Sequence, residues 1–269
     1  MANYNDKPDN SSAHSVAPKK AFGQNFLTDK HYLRRICSAV GAVEGQTVLE
    51  LGAGTGALTR ALLELGAKVV CVEKDERCIP VLNDMSKEFA EGQLTVVEGD
   101  ALEADFTTLA PKGSMLAGNL PYNIGTELVM MGVATGDHFK KHTYLLQKEV
   151  VQRIAAKPQS NDWGRLAIAC QLQAECDHLF DVPPGAFFPP PKVTSAVVSI
   201  TPLENPKFDC ERKKLELVAR LAFGQRRKML RASLKSTISE EDMQSVGIEP
   251  TRRPETLNLE EFCNLANLA

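Results

Sequence analysis

The sequence predicts an α/β fold, a mostly parallel sheet with helices on both faces, followed by a small C-terminal helical domain. Three observations carry the prediction. Between residues 30 and 156, short apolar runs alternate with stretches of helical period. The first such run leads directly into a glycine-rich loop that opens a helix. After residue 160 the alternation stops, and from about residue 205 only short helical patterns remain. Buried strands separated by helices make a parallel sheet covered on both sides. In such sheets ligands bind beyond the carboxyl ends of the strands.

The elements follow in order. Asp29 is placed to cap a helix carrying Leu33, Ile36 and Val40 and ending at Gly41. Thr47 to Leu51 is a strand, Ala57 to Leu65 a helix closed by Gly66, and Lys68 to Val72 a second strand. A helix is expected from Asp75 to about Lys87, with Pro80 accommodated near its first turn. Leu94 to Glu98 and Met115 to Asn119 are the next strands. Then come a helix from about Gly125, a strand at Thr143 to Leu146, and helices at Lys148 to Ala156 and Arg165 to Ala174. Strands near Cys176 to Val182 and Ser195 to Thr201 have no helix between them, so an antiparallel hairpin is expected to close the sheet. The division is a flexible tail at 1–18, a sheet domain at 19–204 and a helical domain at 205–269.

Composition bounds the function. The 269 residues, 43% hydrophobic and 24% charged, suffice for a sizeable core without disulfides. The net charge of −3 means that any surface for nucleic acid is local. Seven cysteines, an odd number without a Cys-x-x-Cys pair, read as free thiols of a cytosolic protein. His138 and His142 are spaced to share a helix face but lack a third ligand nearby, so no metal is expected. The N-terminal tail lacks the apolar core of a secretory leader, and no run is long enough to span a bilayer.

The glycine loop Glu50-Leu51-Gly52-Ala53-Gly54-Thr55-Gly56 lets backbone approach a ligand closely. By itself it fits a dinucleotide as well as S-adenosylmethionine, or a tight turn with no ligand. Glu73, ending the second strand, is placed to grip ribose hydroxyls of either. Two further acids favour the methyl donor. Glu50 precedes the first glycine, where a carboxylate orients the loop or the donor's ammonium. Asp100, in Glu98-Gly99-Asp100-Ala101, is placed to accept a hydrogen bond from the donor's adenine amine. Each acid alone reads equally as a solvated carboxylate; acids at three successive strand ends do not.

Asn119-Leu120-Pro121-Tyr122 ends the fourth strand. It resembles the tetrapeptide of amino methyltransferases, with Leu second as in the RNA-dimethylating branch. The N6 lone pair of adenine is delocalised into its ring and is a poor nucleophile. The Asn119 side-chain oxygen and the Leu120 carbonyl are suited to accept its two N–H bonds, which frees the lone pair for attack on a sulfonium methyl. Tyr122 offers a ring on which an extruded base can stack. Positioning does most of this work, so no separate general base is sought. The bland alternative is a β-turn around Pro121. Downstream, Pro189 to Pro191 stiffen a loop that can hold Phe187 or Phe188 at the site mouth, although either ring reads equally as core.

From Lys19 onward the chain resembles the bacterial small-subunit ribosomal RNA adenine N6-dimethyltransferase family. The resemblance rests on Lys20 to Leu27, Glu50 to Gly56, Glu73, Glu98 to Asp100, Asn119 to Tyr122, Gln147 to Val151, Phe187 to Val193 and Phe223 to Lys228, in that order and spacing. It implies a Rossmann-like fold and dimethylation of two adjacent adenines in the 3′-terminal hairpin of 16S RNA, late in assembly of the 30S subunit. It also implies that Asn25, Leu27, Gly52, Glu73, Asp100 and Asn119 contact the donor, and that Phe187 stacks the base opposite Tyr122. Ala53 stands where relatives often have Pro, which alters loop stiffness and no assigned role.

Between Arg212 and Lys235 nine basic residues face the single acid Glu216. Arg227, Arg231 and Lys235 fall in one row if the segment is helical, beside an apolar row of Leu230, Leu234 and Ile238. With Arg226 and Lys228 they are the candidate contacts to RNA phosphates; a solvated helix face is the bland reading. A cytoplasmic monomer working on 16S RNA is expected. Three alternatives share features with this reading: a 23S RNA methylase of the erythromycin-resistance type, a DNA adenine methyltransferase, and an assembly factor whose catalysis is secondary. A nicotinamide oxidoreductase would leave Asn119 to Tyr122 without a purpose.

Overall fold

The computed structural model describes residues 16–18, 24–225 and 227–269. Most of the expected tail, the stretch 19–23 and Arg226 lie outside the described residues. Of the tail, Val16 is buried, and the Ala17 carbonyl accepts a hydrogen bond from Arg77 at 2.8 Å.

In chain order the elements are β1 (Phe26–Leu27), α1 (Lys30–Val40), β2 (Thr47–Leu51), α2 (Ala57–Glu64), β3 (Lys68–Glu73), α3 (Ile79–Ser86), β4 (Leu94–Glu98), α4 (Phe106–Leu109), β5 (Ser114–Asn119), α5 (Gly125–Ala134) and β6 (Phe139–Gln147). They continue with α6 (Lys148–Ile154), α7 (Arg165–Gln171), β7 (Ala174–Val182), β8 (Phe187–Phe188), β9 (Ser195–Pro202), α8 (Arg212–Gly224), α9 (Leu230–Ser233), α10 (Glu240–Ser245) and α11 (Leu259–Leu268). Local chemistry sets many of the boundaries. Asp29 accepts from the N–H groups of His31 and Tyr32, and Gly41 closes α1 in the left-handed conformation. Such a cap contributes about 1 kcal/mol.

Seven strands form one sheet in the order β4-β3-β2-β5-β6-β9-β7, an α/β architecture with helices on both faces. β2 to β6 are mutually parallel, and β9 is antiparallel to β6. From β2 the chain builds outward through β3 and β4, then returns to β5 on the other side of β2. The strand order reverses there, and the crevice beyond the β2 and β5 ends is where such a sheet takes a ligand. β1 and β8 make a separate two-stranded ladder, with Leu27 opposite Phe187 and Phe26 opposite Phe188.

Several elements depart from the expectations. The helix expected from Asp75 starts at Ile79, with Pro80 in its first turn, because Asp75 turns its side chain to Arg77 and Gln24 instead. The single turn α4 has no counterpart among the expected elements. β6 runs from Phe139 and contains His142, so His138 and His142 share no helix face. His142 is fully buried, and burial lowers its pKa to about 3. The two closing strands do pair with each other at the edge of the sheet, as expected, with β9 lying between β6 and the edge strand β7.

The chain forms two compact units, one ending at Lys148 but including His178–Pro202, the other Glu149–Asp177 with Leu203–Ala269. The expected boundary at residue 204 falls beside the division at Pro202 and Leu203, whereas the grouping of Glu149–Asp177 with the C-terminal segment was not expected. Trp163, Ala167, Ile168 and Leu172 share a hydrophobic cluster with Leu215, Val218, Leu230, Leu234 and Phe262, which draws α7 to the C-terminal helices. The Trp163 indole N–H donates to the Leu257 carbonyl at 2.9 Å within that cluster. All seven cysteines are free. No helix among the described residues is long and apolar enough to cross a membrane.

Candidate active site

A 310 Å³ cavity opens at the carboxyl ends of the parallel strands. Its wall includes Asn25, Leu27, Gly52, Glu73, Asp100, Asn119, Leu120 and Tyr122, so residues separated by nearly a hundred positions converge.

The glycine loop forms the floor. Gly54 has φ +56°, and a Cβ there would stand 2.9 Å from the Phe26 ring. Gly56 has φ +84°, and its Cβ would collide with the Met85 side chain. The positive φ favours glycine at both positions, and at Gly54 the Phe26 ring leaves no room for a side chain. Glu73 braces this loop: one carboxylate oxygen accepts from the Gly54 N–H at 2.6 Å, the other from the Asp75 N–H at 2.8 Å. Burial holds the Glu73 carboxyl above its ordinary value, and the backbone donors offset that rise only in part. Glu50 is 1% exposed and accepts from the Thr59 hydroxyl at 2.6 Å. Burial pushes its pKa up to about 7 despite that bond.

Asp100 lies across the cavity. One of its oxygens accepts from the Leu102 N–H at 3.0 Å, and the other meets the Lys74 ammonium at 2.5 Å. Lys74 and the turn holding Asp100 hold its carboxyl below the usual carboxylate range. Lys74 lines the same cavity, as do Gln24 and Asp75. None of these three carries a role in the sequence reading. Gln24 Nε2 donates to Asp75 at 2.9 Å, which fastens the segment before β1 to the end of β3. Nothing in the spacing signals that contact across the fold.

Asn119 is oriented by its neighbour. Its Nδ2 donates to the Asn25 carbonyl at 3.0 Å, which turns Oδ1 the other way as an acceptor. The Leu120 N–H donates to the Leu145 carbonyl at 3.1 Å, fixing the peptide between them. Tyr122 is half-buried, and its hydroxyl lies 2.6 Å from that of Ser195. Burial raises the Tyr122 pKa.

Phe187 is placed differently from the expectation. It is 4% exposed, belongs to the sheet core with Leu27, Ala186 and Val197, and is not among the residues lining the cavity. The exposed ring is Phe188, at 42%. The alternation of a strand explains this: paired with β1, residues 187 and 188 face opposite sides, and Phe187 takes the core side with Leu27.

The basic stretch also departs from its expectation. α8 ends at Gly224 and α9 covers only Leu230–Ser233, so Arg227, Arg231 and Lys235 do not lie on one continuous helix. The Leu230 N–H donates to the Arg252 carbonyl at 2.8 Å and the Arg231 N–H to the Pro250 carbonyl at 2.9 Å, which satisfies outside the helix donors that a continuous helix would have used. The segregation survives the break. Arg227, Lys228, Arg231 and Lys235 are exposed, while Leu230, Leu234 and Ile238 are buried. Arg226 lies outside the described residues.

The acids at the β3 and β4 ends, the glycine floor and the Asn119 acceptor match the needs of an adenosine-bearing methyl donor. No group of three potential metal-binding side chains occurs among the described residues.

A sequence profile of the family described as ribosomal RNA adenine dimethylase matches residues 16–269. A protein named ribosomal RNA small subunit methyltransferase A, from Rhizobium etli, is 48% identical over 94% of both chains. Among solved structures, a dimethyladenosine transferase from Plasmodium falciparum superposes with a TM-score of 0.76 at 25% identity, covering 89% of this chain and 95% of that one. The 23S rRNA methyltransferase ErmE shares the fold, with a TM-score of 0.71 at 22% identity over 91% of this chain and 99% of the other.

Proposed function

Because the chain belongs to the ribosomal RNA adenine dimethylase family, we propose that it dimethylates N6 of two adjacent adenines in the 3′-terminal hairpin of 16S RNA during late 30S assembly. The observation that carries the reading is the orientation of Asn119, whose Nδ2 is held by Asn25 so that Oδ1 is left as an acceptor at the end of β5.

In this reading S-adenosylmethionine supplies an electrophilic methyl group on a sulfonium. Glu73 and the Gly52–Gly54 floor hold its ribose side, and Asp100 exchanges its Lys74 contact for the adenine amine. Asn25 and Leu27 cover it from the β1 side. Asn119 Oδ1 and the Leu120 carbonyl accept the two N–H bonds of the target amine, which frees its lone pair toward the methyl group. Preorganised acceptors of this kind need no rearrangement at the moment of reaction. Tyr122 stacks the extruded base. Phe187 serves as the opposite face only if its ring leaves the core, whereas Phe188 is already exposed. RNA is held through phosphate contacts of Arg226, Arg227, Lys228, Arg231 and Lys235, in a cytoplasmic monomer with a 19–204 methyltransferase part and a 205–269 RNA-binding part.

The test is methyl transfer from labelled donor to unmodified 30S subunits, naked 16S RNA and 23S RNA, with mass spectrometry of the product nucleosides. Dimethyladenine at two adjacent positions in 30S subunits is the expected product. Modification confined to 23S RNA would contradict the proposal.

A further inference from the structure

β9 is the strand of the sheet that enters where β2 to β6 leave, because it runs antiparallel to β6. Its first residue therefore arrives at the cavity end. The register places this directly: Asn119 pairs with Leu145 and Leu145 with Val197, while Ser195 pairs with Gln147, two residues further toward the open end. The Lys148 N–H donates to the Thr194 carbonyl at 3.0 Å and anchors the start of the strand. Ser195 is 0% exposed, and its hydroxyl lies 2.6 Å from that of Tyr122.

We propose that Ser195 is a positioning residue, whose hydroxyl holds the Tyr122 ring at the cavity mouth ready to receive the target base. The proposal rests on the reading of Tyr122 as the stacking ring. A half-buried tyrosine free to turn must be ordered when the base arrives, and that ordering opposes binding of the base in the reactive pose. Here the ring is held at both ends, by the backbone after Pro121 and by the buried hydroxyl. Orienting groups before the reaction lowers its barrier. On stacking alone a phenylalanine at 122 would serve as well as the tyrosine. With the tie it would not, because the ring would be loosened and a buried hydroxyl left without its partner.

Single-turnover methylation of unmodified 30S subunits, at saturating S-adenosylmethionine, tests this with Ser195→Ala, Tyr122→Phe, the double variant and Tyr122→Ala. Donor affinity and thermal midpoint are measured on the same samples. Ser195→Ala and Tyr122→Phe should each lower the maximal rate about fivefold or more. The double variant should be no slower than either single one. The half-saturating subunit concentration and donor affinity should not change, because phosphates supply most of the RNA affinity. A hydroxyl pair that served only folding would shift the thermal midpoint and leave the rate of folded enzyme intact. Ser195→Ala at the unmodified enzyme's rate beside a slow Tyr122→Ala overturns the tie alone, as does a double variant whose loss is the product of the single losses. Tyr122→Ala at full rate overturns the stacking reading and the tie with it.

Discussion

The strand-end cavity and the basic stretch between Arg212 and Lys235 are equally prominent in the sequence, yet they fold by different rules. In the cavity Gly52, Glu73, Asp100 and Asn119 sit at or within two positions of the end of a parallel strand, and sheet topology brings them together. In the basic stretch the candidates are related by a spacing that presumes one continuous helix. The structure interrupts that helix between Gly224 and Leu230. A motif anchored to a strand end inherits its place from the whole sheet. A motif that depends on uninterrupted local periodicity can be undone by a few tertiary hydrogen bonds, here from Leu230 and Arg231 to the 250–252 carbonyls.

The largest effect is expected at Asn119. Asn119→Ala removes the acceptor that Asn25 orients, and single-turnover methylation should fall by about a hundredfold or more. Donor affinity measured alongside separates any weakening of donor binding. Near-normal turnover would remove Asn119 from the chemistry. A smaller effect is expected at Asp100. Replacing it with Ala removes one hydrogen bond to the donor, so calorimetric titration should show donor affinity weaker by about tenfold. Unchanged affinity in a folded protein would place the adenine elsewhere.

In the other region, changing Arg227, Arg231 and Lys235 together to Gln should lower the salt slope of subunit binding by about one unit for each phosphate no longer neutralised. Since the three do not share a helix row, their single effects should add. Donor affinity should not change. An unaltered slope would move the RNA surface to another part of the molecule.

A separate effect concerns stability of the sheet unit. His142 has a folded pKa of about 3, below its ordinary 6.5. The unfolded chain therefore binds the extra proton between these values, and the contribution of His142 is full above pH 6.5 and lost as pH falls toward 3. Glu50, raised to about 7 from 4.5, acts in the opposite sense, favouring the fold at low pH and losing that contribution as pH rises. The test is thus the difference between the protein and His142→Leu in denaturant unfolding at several pH values. The gap should shift in favour of the variant as pH falls from 6.5. A constant gap would show that His142 does not titrate on unfolding.

Much of the fold was legible because capping, glycines and apolar runs agree with one another. Asp29 and Gly41 bound α1 where the sequence placed it, and β2, β4 and the Pro80 turn follow the same logic. The departures share a cause in contacts between distant positions. Asp75 is taken by Gln24 and Arg77, which delays α3, and α7 joins the C-terminal cluster through Trp163. Lys74 beside Asp100 and Ser195 beside Tyr122 were invisible for the same reason. Adjacent phenylalanines could not be told apart until the pairing with β1 assigned Phe187 to the core.

Under the proposed function the cavity performs the chemistry and the basic stretch of the other unit holds the RNA. Single-turnover methylation of 30S subunits, titrated with subunits at saturating donor, tests it on Asn119→Ala and on the Arg227, Arg231 and Lys235 triple Gln variant side by side. Asn119→Ala should lose maximal rate at an unchanged half-saturating concentration, and the triple variant should keep its maximal rate at a raised one. A triple variant that loses rate without losing affinity, or an Asn119→Ala enzyme that loses affinity without losing rate, would contradict it.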